Sequence, residues 1–150
     1  MTMFKRDAFD SEINSALNIA QAADFIEAKE GLDTVVSARG KNFSGGQRQR
    51  LTIARALIGQ PDILLLDDSA SALDLSTEAR LRRALFDLSW NPTIIIVSQR
   101  ASSVKDADQI LVLEDGKAVG LGTHSQLLES CEEYEEIYYC QYPREEAANE

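Results

Sequence analysis

Hydrophobic and polar positions change period several times along this chain, and each change marks an element. From about Asp7 to Glu30, the residues Phe9, Ile13, Leu17, Ala20, Phe25 and Ile26 recur at three- and four-residue steps, with Ala16, Ala22 and Ala23 between them. That spacing predicts one or two amphipathic helices. Gly31 is a suitable stop, and Thr34 to Gly40 reads as extended before it turns. The next helix is punctuated at both ends. Ser44 and Gln47 have capping-box spacing, Leu51, Ala54, Leu57 and Ile58 form an apolar stripe, and Gly59 followed by Pro61 closes it.

Beyond Pro61 the helical period disappears. Ile63 to Leu66 is a continuous apolar run of strand length, and Thr93 to Val97 is β-branched throughout. Both read as central strands covered on two faces. Thr77 to Leu88 reads as a crossover helix between them, and strand, helix, strand in this order implies a parallel, right-handed unit. Gln109–Leu113 and Lys117–Leu121 flank Asp115-Gly116, a strong hairpin signal. Thr123 then caps a short helix through Leu128, and Glu132 to Tyr142 forms a last helix that frays into Pro143, Arg144, Glu145 and Glu146. No internal repeat is visible. The fold class is α/β: a helical part, then parallel strands with crossover helices, then a C-terminal β-hairpin.

Composition narrows this picture. At 150 residues and 44% hydrophobic content, one folded unit with a real core is expected. Of the net charge of −10, residues 129–150 supply −7 through eight Glu against Arg144 alone. Acidity is therefore a property of the tail, and no nucleic-acid partner is expected, because phosphate-backbone binding needs concentrated Lys and Arg. The groups Arg48/Arg50/Arg55 and Arg80/Arg82/Arg83 read as solvated or interface faces. Cys131 and Cys140 lie nine residues apart in a segment that reads as helical, on opposite faces, as free thiols of a reducing cytosol. No apolar run approaches the roughly 20 residues needed to cross a bilayer, and no apolar stretch backs Lys5-Arg6 as an export signal would require.

Two segments carry candidate chemistry. In Ser44-Gly45-Gly46-Gln47, one reading is a capped tight turn. The other is an anion site, in which glycines let backbone N–H groups approach phosphate oxygens at a positive helix end. At the end of the strand Ile63–Leu66, Asp67 could hold Mg2+ as a hard carboxylate at the carboxyl edge of a parallel sheet, or belong to an acidic loop. Asp68 follows, where a general base would have to reach a water in line with a γ-phosphate. Asp74 either joins that chemistry or starts the crossover helix as its first acid. No G-x-x-x-x-G-K-[ST] stretch, which would wrap the β- and γ-phosphates, occurs in the 150 residues.

Together these residues resemble the nucleotide-binding domain of ABC transporters of the exporter type, over nearly the whole chain. Asn42-Phe43-Ser44-Gly45-Gly46-Gln47 is similar to the signature motif, Ile63 to Asp68 to the Walker B strand, Ser71 to Asp74 to the D-loop, and Thr34 to Gly40 to the X-loop. Ala107 to His124 resembles the final hairpin and helix start. The resemblance implies a partial P-loop NTPase fold without its Walker A loop: about 1–59 the end of a helical subdomain, about 60–130 the second half of the catalytic core, and about 131–150 a C-terminal helix with an acidic tail. It further implies ATP and Mg2+ as cofactors, a second ABC nucleotide-binding domain and transmembrane domains as partners, and a cytoplasmic place at the inner face of the plasma membrane.

In that family two domains pair head to tail. Ser44, Gly45, Gly46 and Gln47 would thus serve ATP held by the partner, with Asp74 in the D-loop beside them. Asp67 would serve the metal, and Asp68 and Gln99 the catalysis, of the chain's own site. Three positions depart from the pattern: Asp68 stands where members with active sites usually carry Glu, Gln99 where they carry a switch His, and Ala38 where the X-loop usually carries an acid. Asp68 is one methylene short, and Gln99 cannot become cationic near neutral pH. The sole histidine, His124, is expected as a surface or capping residue. The combination of an intact signature and a weakened own site resembles the degenerate member of a heterodimeric exporter. Two other readings remain open: a stand-alone, non-enzymatic interaction module, and a fragment of a DNA-maintenance ATPase of the same superfamily.

Overall fold

The computed structural model describes residues 8–143, in two compact units that divide after Val97. The helix start expected at Asp7 and the acidic end beyond Pro143 lie outside the described residues. The first unit holds α1 (Asp10–Ile19), α2 (Ala23–Glu27), α3 (Gly45–Leu57), β1 (Ile63–Asp67), α4 (Leu75–Phe86) and β2 (Thr93–Val97). Short 3-10 turns occur at Gly31–Asp33 and Ala38–Gly40. The second unit holds α5 (Ala101–Val104), β3 (Ile110–Glu114), β4 (Lys117–Gly122), α6 (His124–Ser130) and α7 (Glu132–Gln141).

In the first unit β1 and β2 pair in parallel from Ile63↔Thr93 to Asp67↔Val97, with α4 as the crossover, as the order of apolar runs predicts. The helical stripes become the core: Ala16 and Leu17 from α1, Ile53, Ala54 and Leu57 from α3, and Leu81 and Leu85 from α4 are buried with Leu64 and Leu66 of β1. Burial of apolar area at about 25 cal/mol per Å2 is the main gain here. The expectation of strands covered on both faces fails for the described residues. Ile63 and Leu65 are 65% and 61% exposed, and Ile95 and Val97 are 47% and 50% exposed. A two-stranded sheet alternates its side chains, and the buried set faces the helices while the other set stays in contact with solvent.

Thr34–Gly40 is extended at Ser37, with φ of −66° and ψ of 162°, and turns at Ala38–Gly40, as expected, and Asn42 closes the segment as a loop. Its Oδ1 accepts from the Ser37 N–H at 3.1 Å and the Ser37 hydroxyl at 3.0 Å, and its Nδ2 donates to the Val35 carbonyl at 2.8 Å. Of the α3 arginines expected on a solvated or interface face, Arg48 is exposed and Arg50 half-buried, and both make fixed contacts. Arg48 Nη1 donates to the Phe43 carbonyl at 2.6 Å. Arg50 Nη1 donates to the Gln21 carbonyl at 2.6 Å, with its guanidinium 4.8 Å from the centre of the Phe25 ring. Arginine suits such a role because a planar cation can stack and donate at once.

The second unit is built on the hairpin. Asp115 and Gly116 have φ of 48° and 74°, the paired positive values of a type I′ turn, as the Asp-Gly signal predicts. Ile110 and Val112 pack with Leu127, Cys131 and Tyr134. Cys131 sits at the break between α6 and α7 rather than inside one helix, and both cysteines are free, Cys131 buried and Cys140 exposed. Thr123 supplies the α6 cap. His124 is therefore neither the cap nor a bare surface residue. Its Nδ1 lies 2.9 Å from the Tyr134 hydroxyl and its ring 4.9 Å from that of Tyr138, and desolvation, then Lys105, hold its pKa below the ordinary value.

Close packing in this unit is tightest at Gly120, where a Cβ would stand 2.7 Å from Cys131 Sγ and 3.0 Å from Leu127 Cδ2. Gly120→Ala is expected to lower stability by about 1–3 kcal/mol through overpacking, read as a lower urea midpoint by circular dichroism. An unchanged midpoint would mean that β4 does not rest against Cys131.

Candidate nucleotide-phosphate site

Within the first unit, the start of α3 and the end of β1 are brought together by the turn that leads into α4. Ser44 caps α3: its hydroxyl accepts from the Gln47 N–H at 3.2 Å, and Gln47 Oε1 accepts from the Ser44 N–H at 2.9 Å. This reciprocal pair fixes the first turn and leaves the glycines at positions 45 and 46 to present backbone at a positive helix end. Ser44 and Gly45 are exposed.

β1 ends at Asp67, and both Asp67 and Asp68 are exposed at the carboxyl edge of the parallel pair. The Asp68 N–H still donates to the Val97 carbonyl at 2.9 Å, so the residue is tied to the sheet as the chain leaves it. Its φ is +46°, a left-handed conformation that aspartate tolerates better than most side chains. Asp74 caps α4 with both carboxylate oxygens. Oδ1 accepts from the Ser76 hydroxyl at 2.6 Å and the Thr77 N–H at 2.9 Å, and Oδ2 accepts from the Thr77 hydroxyl at 2.8 Å. The Ser76 hydroxyl first, then the Thr77 amide and hydroxyl, stabilise the anion and hold its pKa far below the usual aspartate range.

The helix start and the turn touch at backbone distance. A Cβ on Gly46 would lie 2.8 Å from the Ala72 carbonyl oxygen and 3.3 Å from Leu73 Cδ2, whereas one on Gly45 would meet Ala72 Cβ at 3.7 Å and Arg48 Nη2 at 4.0 Å, both ordinary contacts. Gln49 bridges the same junction by hydrogen bonds to Ser71 and Ala72. Sequence reading passed over Gln49, although a signal was present. It lies four residues after Gly45 and three after Gly46, hence on the glycine face of the helix. Gln99 belongs to the second unit, where its carbonyl accepts from Gln141 Nε2 at 2.8 Å and Gln141 Oε1 accepts from the Ala101 N–H at 3.0 Å. Its side chain is exposed.

A capped glycine-pair helix start, joined through a turn to an acid-tipped parallel strand, defines an α/β fold with a candidate phosphate site at one edge. Comparison with known proteins carries this to a family. The family model described as ABC transporter matches residues 2–71. An uncharacterized ABC transporter ATP-binding protein of Bacillus subtilis is 49% identical over 142 residues, covering 94% of this chain and 24% of that protein. An ATP-dependent lipid A-core flippase of Vibrio vulnificus is 43% identical, covering 87% of this chain and 23% of its own length. The solved structure of a bacterial Atm1-family ABC exporter with ATP bound is similar with a TM-score of 0.88 at 37% identity, over 93% of this chain and 25% of that one. The chain belongs to the ABC transporter family, and it spans about a quarter of the length of these relatives.

Two outcomes test the geometry. Gly46→Ala should cost about 1–3 kcal/mol in urea unfolding, because the backbone of the turn must move, while Gly45→Ala should be neutral or slightly stabilising in a helix. Equal effects would show that the two elements do not meet as described. Asp74 has a depressed folded pKa, so its stabilising contribution is complete above the ordinary value of about 3.8 and is lost as pH falls below it toward the folded value. Asp74→Asn should therefore flatten the fall of stability below pH 3.8, measured as thermal midpoint against pH.

Proposed function

We propose that this chain is part of the ATPase domain of an ABC exporter and takes part in ATP-driven membrane transport. Ser44, Gly45, Gly46 and Gln47 serve ATP held by a second nucleotide-binding domain, with Asp74 setting the start of α4 beside them. Asp67, Asp68 and Gln99 serve the chain's own nucleotide. The observation that carries the reading is the exposed, doubly capped start of α3, with Gly46 backed by the Ala72 carbonyl while Ser44 and Gly45 face outward. Phosphate oxygens suit such an end because free N–H groups and the helix dipole act together.

The residues present also suit magnesium. The cation usually takes one or two carboxylates and completes its shell with water and phosphate oxygens, and Asp67 offers one such carboxylate, exposed at the end of β1. Bound there, it would neutralise charge on the phosphates. Asp68 would orient the attacking water, and Gln99 would donate its amide to a phosphate oxygen. Partners are a second nucleotide-binding domain, in a homo- or heterodimer, and transmembrane domains, which would hold the site at the cytoplasmic face of a membrane. No helix among the described residues is long and apolar enough to cross one.

A second reading has its own observation. The open apolar face of Ile63, Leu65, Ile95 and Val97 favours association of the chain as a non-enzymatic module. Kinetics of the assembled transporter test the catalytic part of the first reading. Combining Asp68→Glu with Gln99→His should raise ATP turnover about tenfold or more, because a carboxylate misplaced by about 1 Å can cost roughly 100-fold. Unchanged turnover would remove Asp68 and Gln99 from the catalytic assignment.

A further inference from the structure

Gln49 touches both half-sites of the chain, although neither helix capping nor core packing requires it. The α3 cap is complete with Ser44 and Gln47, and the buried face of α3 is Ile53, Ala54 and Leu57. The Gln49 amide instead reaches across to the turn after β1. Its Oε1 accepts from the Ala72 N–H at 3.0 Å, and its Nε2 donates to the Ser71 hydroxyl at 3.0 Å and approaches the Asp68 carbonyl at 3.5 Å. The Ser71 hydroxyl donates in turn to that same Asp68 carbonyl at 3.0 Å. One side chain on the glycine face of α3 thereby holds the residue whose carboxylate serves the chain's own nucleotide.

We propose that Gln49 is a positioning residue that locks the β1–α4 turn to the start of α3, so that Ser44–Gln47 and Asp68 keep a fixed mutual geometry. The proposal rests on the function proposed above. Glutamine is suited to this position because one planar group accepts from an amide and donates to two oxygens at the required reach. Glutamate would keep the bond from Ala72 but lose both donations. Methionine would keep the bulk of the side chain and make none of the three.

The test uses Gln49→Met and Gln49→Glu. In the 150-residue chain, amide hydrogen exchange at Ala72 should rise at least tenfold in Gln49→Met and stay near wild type in Gln49→Glu, with exchange at Ile53 to Leu57 unchanged in both. In the assembled transporter both variants should lower kcat about tenfold while KM for ATP stays within about twofold, as expected when groups are misplaced rather than binding lost. Unchanged exchange at Ala72 in Gln49→Met overturns the lock, and so does exchange that rises equally along α3, which would mean general loosening. Normal kcat in both variants overturns the positioning role. Ser44→Arg in the same assembly separates the two layers. If it leaves turnover intact, the functional reading fails, and the exchange result alone decides whether Gln49 holds the turn.

Discussion

The close approach of Gly46 to the Ala72 carbonyl is the constraint on which the site depends. Two segments separated by more than twenty residues meet where no side chain can intervene, and the 2.8 Å available to a Cβ leaves no room for one. Because the contact is between main chains, it fixes orientation as well as distance. The start of α3 cannot rotate without moving the turn that follows β1. Everything polar in the neighbourhood follows from this contact. Ser44 and Gln47 satisfy each other on the open side, Gln49 satisfies the turn on the closed side, and Asp74 begins the next helix immediately beyond. These capping and bridging hydrogen bonds lie between 2.9 and 3.2 Å, which favours a single arrangement over many.

The apolar core supports this junction from below without dictating its details. Ile53, Ala54 and Leu57 hold α3 over Leu64 and Leu66, which sets the height of the helix above the sheet. The core reaches this level only through Phe43 before the cap and Leu73 in the facing turn, while the buried residues of α3 itself lie two turns further along. Capping and the glycine contact supply the register of the first turn of α3 against the loop. Hydrophobic burial, being non-directional, thus provides most of the stabilisation, while the hydrogen bonds provide the geometry on which phosphate recognition would depend.

Much of this was legible in the sequence, and what was not has a physical reason. The α3 boundaries, the parallel strands, the Asp115-Gly116 turn and the Thr123 cap are local signals, each encoded within a few residues, and the structure places them as the pattern predicts. The misses that bear on the site are long-range. An unbroken apolar run such as Ile63–Leu66 says that both faces tolerate burial, not that both are covered within these residues. The roles of Arg48, Arg50, Asn42 and Gln49 depend on carbonyls and amides brought near by folding, and no periodicity marks such partners in advance. The setting of His124 has the same cause, its aromatic neighbours lying one helix away. At the site itself, the acid-tipped strand and the capped glycines could be read directly; their contact could not.

Backbone conformation adds a reason for one departure from the family pattern. Asp68 occupies the left-handed region at φ +46°, where a short side chain that can bond to nearby backbone is favoured over a longer one. Glutamate there would place its carboxylate further out but at a conformational cost of about 1 kcal/mol or more. The difference between the two acids at this position is therefore not reach alone. A shorter acid relaxes the turn that Gln49 and Ser71 hold, and a longer one strains it, so the same hydrogen bonds that fix the turn must also bear the consequence of whichever acid stands at its first residue. Carboxylate reach and turn stability pull in opposite directions at this single residue, and the aspartate present settles it on the side of stability.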